Sequence, residues 1–113
     1  ILPNLPGGTP MPNAKAVVNG LQFFMDRIKE IDPESIIMVC SSGRASSYLA
    51  TAAVLLGANA IRMGMEDTLW QYPHRNDKIE SNAEAFRRGK QLVELLGLEC
   101  ATSDEYRELI GIK

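Results

Sequence analysis

The sequence predicts an α/β fold with parallel strands, and three observations carry that expectation. Ile36-Ile-Met-Val-Cys40 is an unbroken apolar run without polar alternation, as in a parallel strand covered on both faces. An Ala/Leu-rich stretch, Ala45 to Leu56, follows it and stops at Gly57 in the manner of a crossover helix. Asn59-Ala-Ile-Arg-Met-Gly-Met65 then reads as a second strand, which completes a strand-helix-strand unit.

The remaining elements follow from periodicity and capping. From Asn13, an N-cap residue, apolar side chains fall at Val17, Leu21, Phe24, Ile28 and Ile31, one face of a helix that Asp32-Pro33 ends. After a polar turn region from Gln71 to Lys78, Ser81-Asn-Ala-Glu84 fits a capping box. The helix it opens has Phe86, Gly89, Val93 and Leu96 as its inner stripe and ends at Gly97. Thr102-Ser-Asp-Glu105 starts one more short helix through Ile110. Leu2 to Leu5 is a candidate third strand. Three parallel strands would leave two raw edges, which a barrel or a wider sheet would cover.

Composition narrows the function classes. The 113 residues are 45% hydrophobic and 23% charged with a net charge of −2, the profile of one globular unit. The apolar runs Ile36–Cys40 and Ala52–Leu56 are far shorter than the roughly 18 residues of a membrane span. A pI near 5.4 with only short basic clusters argues against a nucleic-acid or anionic-membrane surface. Cys40 and Cys100 are too few for a disulfide framework, and no secretory signal precedes the helices, so a reducing, cytoplasmic setting is expected. The opening Ile1-Leu-Pro-Asn-Leu-Pro-Gly-Gly-Thr-Pro10 reads as part of something longer.

Ligand sites in parallel α/β folds lie at the carboxyl ends of the strands. Pro6-Gly7-Gly8-Thr9, Ser41-Ser42-Gly43-Arg44 and Glu66-Asp67-Thr68 meet that condition. Alternation in the last strand places Arg62, Gly64 and Glu66 on one face and Ile61, Met63 and Met65 on the other. Arg62 is therefore a charge in a strand expected to be buried, and it needs a carboxylate or an anionic ligand. Gly64 leaves room between Arg62 and Glu66, and Asp67 projects from the strand's end. The trio is either a functional cluster or a structural ion pair. The Ser42-Gly43 turn is either an anion cradle at a helix N-terminus or an ordinary connection. Cys40 reads as core and His74 as a solvated loop residue, since one histidine makes neither a zinc site nor a triad. Glu66 suits a single metal ligand whose companions lie elsewhere.

The run Asn59-Ala-Ile-Arg-Met-Gly-Met-Glu-Asp-Thr-Leu-Trp70, with Tyr72-Pro73, Ser81-Asn82-Ala83-Glu84, Ala101-Thr102 and Glu108-Leu-Ile-Gly-Ile112, closely resembles the C-terminal third of the β-keto acid cleavage enzymes. The Gly7-Gly8 loop and the Gly43-Arg44 turn fit the same pattern. The resemblance implies a (β/α)8 TIM barrel, a single domain of which residues 1–113 would be the last three strand-helix units. It implies a divalent metal, usually zinc, held by two histidines of a His-x-His motif on an early strand and by Glu66. That motif is absent from this chain, so the chain alone should not hold the metal or act as an enzyme.

The implied reaction condenses a β-keto acid with acetyl-CoA and cleaves the adduct to acetoacetate and a CoA ester. In it the metal polarises the keto oxygen, Asp67 resembles the base that removes the α-proton, and Arg62 resembles the arginine supporting Asp67 and the anionic transition state. Gly7, Gly8, Ser42 and Gly43 are rim candidates for contact with substrate or CoA. The full-length chain is expected to form homo-oligomers. Two other readings compete. Val39-Cys-Ser-Ser-Gly-Arg-Ala-Ser-Ser47 superficially looks like a rhodanese loop, with Cys40 as a sulfurtransferase thiolate closed over by an arginine. A non-catalytic fragment that assembles through its open edges is the other.

Overall fold

The computed structural model of the chain describes residues 14–40 and 42–112. Among them the order is α1 (Ala14–Ile31), β1 (Met38–Cys40), a single 3₁₀ turn (Gly43–Ala45), α2 (Ser46–Leu55), β2 (Ala60–Arg62), α3 (Asn82–Leu95) and α4 (Ser103–Leu109). The two strands pair in parallel with Met38 opposite Ala60, Val39 opposite Ile61 and Cys40 opposite Arg62. The chain is thus α/β, a strand-helix-strand unit flanked by further helices. The candidate strand Leu2 to Leu5, the Asn13 cap and the Gly7-Gly8 loop lie outside the described residues.

The strands are shorter than the apolar runs that form them. A ladder lasts only as long as both partners stay in register, and here it starts with Asn59, whose Oδ1 accepts from Ile37 N at 2.9 Å while its own N–H donates to Ile37 O at 2.9 Å. Beyond Cys40 and Arg62 the chains part into their loops.

Helices cover one face of this sheet. Val17, Leu21 and Met25 of α1, Leu49 and Ala53 of α2, and Ile37 and Val39 of the β1 segment form one buried cluster against which Ile28 and Ile61 pack. Full burial of each large side chain is worth about 1.5–3 kcal/mol, so this cluster dominates stability. Ile31, at the last turn of α1, projects beyond the sheet and is 87% exposed. Asp32-Pro33 ends α1 as expected. Asp32 carboxylate oxygens accept from Glu34 N and Ser35 Oγ, and Lys29 Nζ donates to the carbonyls of Pro33 and Ser35. At the end of α2 Gly57 adopts φ +85°. Its N–H donates to Val54 O, and Ala58 N donates to Ala53 O, the paired closure that a left-handed residue permits.

α3 lies on the same side. Its N-cap Ser81 accepts from Glu84 N, but the Glu84 carboxylate bonds Glu80 N rather than completing the box on Ser81. The expected inner stripe is corrected at Phe86, which is 65% exposed; Gly89 faces inward as expected, and Ala85 takes the place of Phe86. Small residues let the helix come close, and a Cβ on Gly89 would lie 3.0 Å from Met63 Cγ. α4 has the full capping box, Thr102 and Glu105 each holding the other's backbone N–H, and buries none of its residues.

The other face of the sheet is open among the described residues, which corrects the expectation of strands covered on both sides. Ile36 and Met38 are 43% and 42% exposed. Among the described residues no helix is long and apolar enough to cross a membrane.

Candidate functional site

The open face carries the charged cluster at its carboxyl end. Arg62 ends β2 with its side chain 47% exposed, not buried, because nothing among the described residues covers that face. Its Nη2 donates to Glu66 Oε1 at 3.0 Å, and its Nε lies 3.1 Å from Asp67 Oδ2. The guanidinium therefore bridges two adjacent carboxylates.

Gly64 makes the arrangement possible. A Cβ there would lie 2.6 Å from Glu66 Oε2 and 2.9 Å from its Cδ, so the carboxylate folds back over the space a side chain would fill. The room inferred from the Arg-x-Gly-x-Glu spacing is occupied by that carboxylate. Glu66 is 59% exposed, and its carboxyl is held below the usual range first by its own backbone N–H and then by Arg62. Arg62 is held more firmly protonated, chiefly by Asp67.

Asp67 differs from its neighbour in burial. The residue is 8% exposed, and Oδ2 is buried without an aligned hydrogen-bond donor; the nearby Arg62 Nε attracts it as a charge but not along the N–H direction. Its backbone is fixed from two sides, with Asp67 N donating to Gly64 O at 3.1 Å and Gly43 N donating to Asp67 O at 3.0 Å. Cys40, opposite Arg62 in register, lies beneath this turn and is 3% exposed. Burial, and then a hydrogen bond with the Asp67 carboxylate, push its thiol up to about 11.

Those facts weigh against the sulfurtransferase reading, which needs a thiolate near neutral pH and an arginine over it. Arg44 is elsewhere. Its guanidinium stacks on the Trp70 ring at 4.0 Å and donates to Arg75 O and Asn76 Oδ1, tying the turn after β1 to the loop after β2.

Of the other rim candidates, Gly43 adopts φ +71° and directs its N–H to the Asp67 carbonyl, so that N–H serves the site's backbone rather than an anion. Ser42 is half-buried beside it. His74 is exposed, as expected of a loop residue, with its ring 6.1 Å from that of Tyr72. Two contributions escaped sequence reasoning: the Cys40 contact with Asp67, and Asn82, whose Oδ1 accepts from Met65 N at 2.8 Å. The capping pattern located Asn82 at a helix start but not its target.

Among the described residues no three His, Cys, Asp or Glu side chains converge as a metal-binding group. What the chain offers is one exposed, ionised carboxylate at a strand end, beside a shielded one, both under a single arginine.

Comparison with known proteins gives this arrangement a context. The model of the beta-keto acid cleavage enzyme family matches residues 5–112. A 3,5-dioxohexanoate:acetyl-CoA acetone transferase of Paraburkholderia graminis is 39% identical over 75 residues, covering 66% of this chain and 23% of that protein. Two proteins named 3-keto-5-aminohexanoate cleavage enzyme are also similar. The one from Fusobacterium nucleatum is 33% identical over 87% of this chain and 34% of its own length. The one from Acetoanaerobium sticklandii is 32% identical over 75% of this chain and 30% of its own length. The chain thus spans between about a quarter and a third of these curated relatives. Every described element lies within the matched span, and the chain belongs to the beta-keto acid cleavage enzyme family.

Proposed function

We propose that these residues are the C-terminal part of a (β/α)8 barrel enzyme that condenses a β-keto acid with acetyl-CoA and cleaves the adduct to acetoacetate and a CoA ester. The observation that carries the proposal is the Arg62 guanidinium bridging Glu66 and Asp67 at the carboxyl end of β2, where α/β folds place their ligands. The names of the relatives, which include a 3,5-dioxohexanoate:acetyl-CoA acetone transferase and two 3-keto-5-aminohexanoate cleavage enzymes, support the reaction class. The chain's open sheet face and its coverage of no more than 34% of a relative support a larger barrel around it.

Glu66 fits one position of a divalent metal such as zinc. It is an ionised oxygen ligand, exposed on the open face, with Gly64 giving its carboxylate room. The remaining ligands would come from strands outside this chain. When bound, the metal supplies a Lewis acid for the substrate's keto oxygen.

Asp67 accepts the α-proton of the β-keto acid. Its buried carboxylate oxygen without an aligned donor is an acceptor awaiting one, and its backbone is held against drift by Gly43 and Gly64. The deprotonated carbon then attacks the acetyl-CoA thioester and expels CoA thiolate. The thiolate adds to the substrate's own keto carbon, the carbon–carbon bond there breaks to leave the CoA ester, and the acetoacetate enolate released takes the proton back from Asp67. Arg62 stays cationic throughout, steadies Asp67, and offsets negative charge developing on the substrate. Isolated, the chain lacks the other ligands and is inactive. A cytoplasmic setting, in which Cys40 and Cys100 stay reduced, and assembly of the full-length protein into homo-oligomers belong to the same proposal.

The test is an acetyl-CoA-dependent assay on the full-length protein, with 3,5-dioxohexanoate, 3-keto-5-aminohexanoate and other β-keto acids as substrates and acetoacetate as the product followed. Asp67→Asn should lower kcat by at least about 100-fold, as loss of a general base does. Turnover of none of the acids, or a fully active Asp67→Asn, would remove the proposal.

A further inference from the structure

The Ser81-Asn82-Ala83-Glu84 stretch has no part in the chemistry above, yet its second residue reaches back 17 positions to the site. We infer that Asn82 is a positioning residue for the Glu66–Asp67 pair, acting through the backbone N–H of Met65. This rests on the reading of Glu66 as metal ligand and Asp67 as base.

The geometry is specific. β2 ends at Arg62, and the next residues turn away from the β1 ladder. Met65 sits between Gly64, which must stay open, and Glu66, which must fold back over it. A rotation of the Gly64–Met65 peptide, whose N–H is that of Met65, would redirect the backbone leading into Glu66 and carry its carboxylate off the open face. Asn82 Oδ1 fixes that peptide at 2.8 Å. On the far side of the pair, Gly43 N–H holds the Asp67 carbonyl at 3.0 Å. The two charged residues thus lie between two fixed backbone groups, the Met65 N–H held by the Asn82 side chain of α3 and the Asp67 carbonyl held by the N–H of Gly43 in the turn after β1.

The choice of residue at position 82 agrees with this. Asn82 is the first residue of α3, directly after the Ser81 cap, and asparagine is a poor helix former. Helix capping already falls to Ser81, which accepts from Glu84 N, so the Asn82 carbonyl oxygen is available to leave the helix for another element. Glu84, one turn on, similarly fixes the distal part of the same loop, accepting from Glu80 N at 2.8 Å and from Gln71 Nε2 at 3.1 Å. The first turn of α3 therefore holds both limbs of the loop after β2, and Asn82 holds the limb that bears the site.

The test compares Asn82→Ala, which removes the acceptor, with Asn82→Asp, which keeps an oxygen at the same place and suits a helix N-terminus. Both are made in the full-length protein, beside Glu66→Gln and Asp67→Asn. The readouts are zinc affinity by competition with a chelator, kcat and KM for acetyl-CoA, and melting temperature. Asn82→Ala should weaken zinc binding and lower kcat by about 10-fold each, the usual size of effect for a residue that orients a ligand. KM should stay within about 2-fold and melting should be little changed, while Asn82→Asp should recover most of both losses.

Wild-type zinc affinity and kcat in Asn82→Ala would overturn the inference. So would losses that Asn82→Asp fails to recover and that follow a lowered melting temperature, since those describe a structural cap. If Glu66→Gln and Asp67→Asn are silent as well, the site reading itself fails. If they are severe while Asn82→Ala is silent, only the inference does.

Discussion

The two faces of the β1–β2 sheet differ in what completes them. On one, Ile37 and Val39 are 2% and 3% exposed under α1 and α2, and every neighbour comes from this chain. On the other, residues one position away, Ile36 and Met38, are more than 40% exposed, and Arg62 stands beside them half in solvent. Alternation along a strand sends equally apolar neighbours to opposite fates. The covered face builds the local fold, and the open face carries the residues of the site. In the proposed barrel this face, apolar in its strand and charged at its carboxyl end, is the inner wall, with the candidate site at its rim.

That contrast breaks first at its largest effect, core truncation. Leu49→Ala on the covered side should cost about 2–5 kcal/mol by denaturant unfolding, in the 113-residue chain and in the full-length protein alike. Met38→Ala on the open side should cost under about 1 kcal/mol in the chain alone but about 2–5 kcal/mol in the full-length protein if the proposed barrel covers the wall there. Equal small costs in both settings would mean that the face stays open.

Cys40 is the open-face residue that the chain does bury, and it gives a pH signature. Its folded-state pKa is raised to about 11 from 9.0. Below pH 9 the thiol is protonated both folded and unfolded, so it exerts no pull on stability. As pH rises from 9 to 11 the unfolded thiol ionises and the folded one does not, and about 2–3 kcal/mol of stability is lost. Cys40→Ala should flatten that part of the stability curve. At pH 8 a thiol reagent should modify the exposed Cys100 well before Cys40.

Gly64→Ala has the smallest effect on stability and a selective one on the site. The new Cβ meets the far end of the Glu66 side chain at 2.6 Å, and that end swings aside cheaply. Unfolding should shift by less than about 1 kcal/mol, while zinc affinity of the full-length protein should fall by about 10-fold. A large loss of stability with unchanged zinc binding would place the role of Gly64 in the fold instead.

Much of the covered face was legible from residue order. The spacing of Val17, Leu21 and Ile28, the Asp32-Pro33 stop, the Gly57 terminus and the Thr102–Glu105 box each act within a few residues, and short-range rules capture them. Arg62 and Glu66 do meet beside Gly64, but not by strand alternation, which stops at Arg62: the turn beyond β2 brings Glu66 back to the arginine. Three other features were not legible. The exposure of Arg62 depends on which neighbours cover its face, which its own strand does not encode. Phe86 misleads because its size marks it as inner, whereas α3 packs there by its small neighbour Ala85, beside the Gly89 that the stripe did include. The Cys40–Asp67 and Asn82–Met65 contacts join separate elements and exist only once the chain has folded.

The most direct test of the central claim, that Glu66 at the end of β2 is one ligand of a metal held by the full-length protein, is elemental analysis of that protein and its Glu66→Gln variant, each checked by intact mass. The result expected is about one zinc per chain in the native protein and loss of most of it in a variant that remains folded. A native protein without bound metal, or a variant that keeps its zinc as tightly as the native form, would contradict the claim.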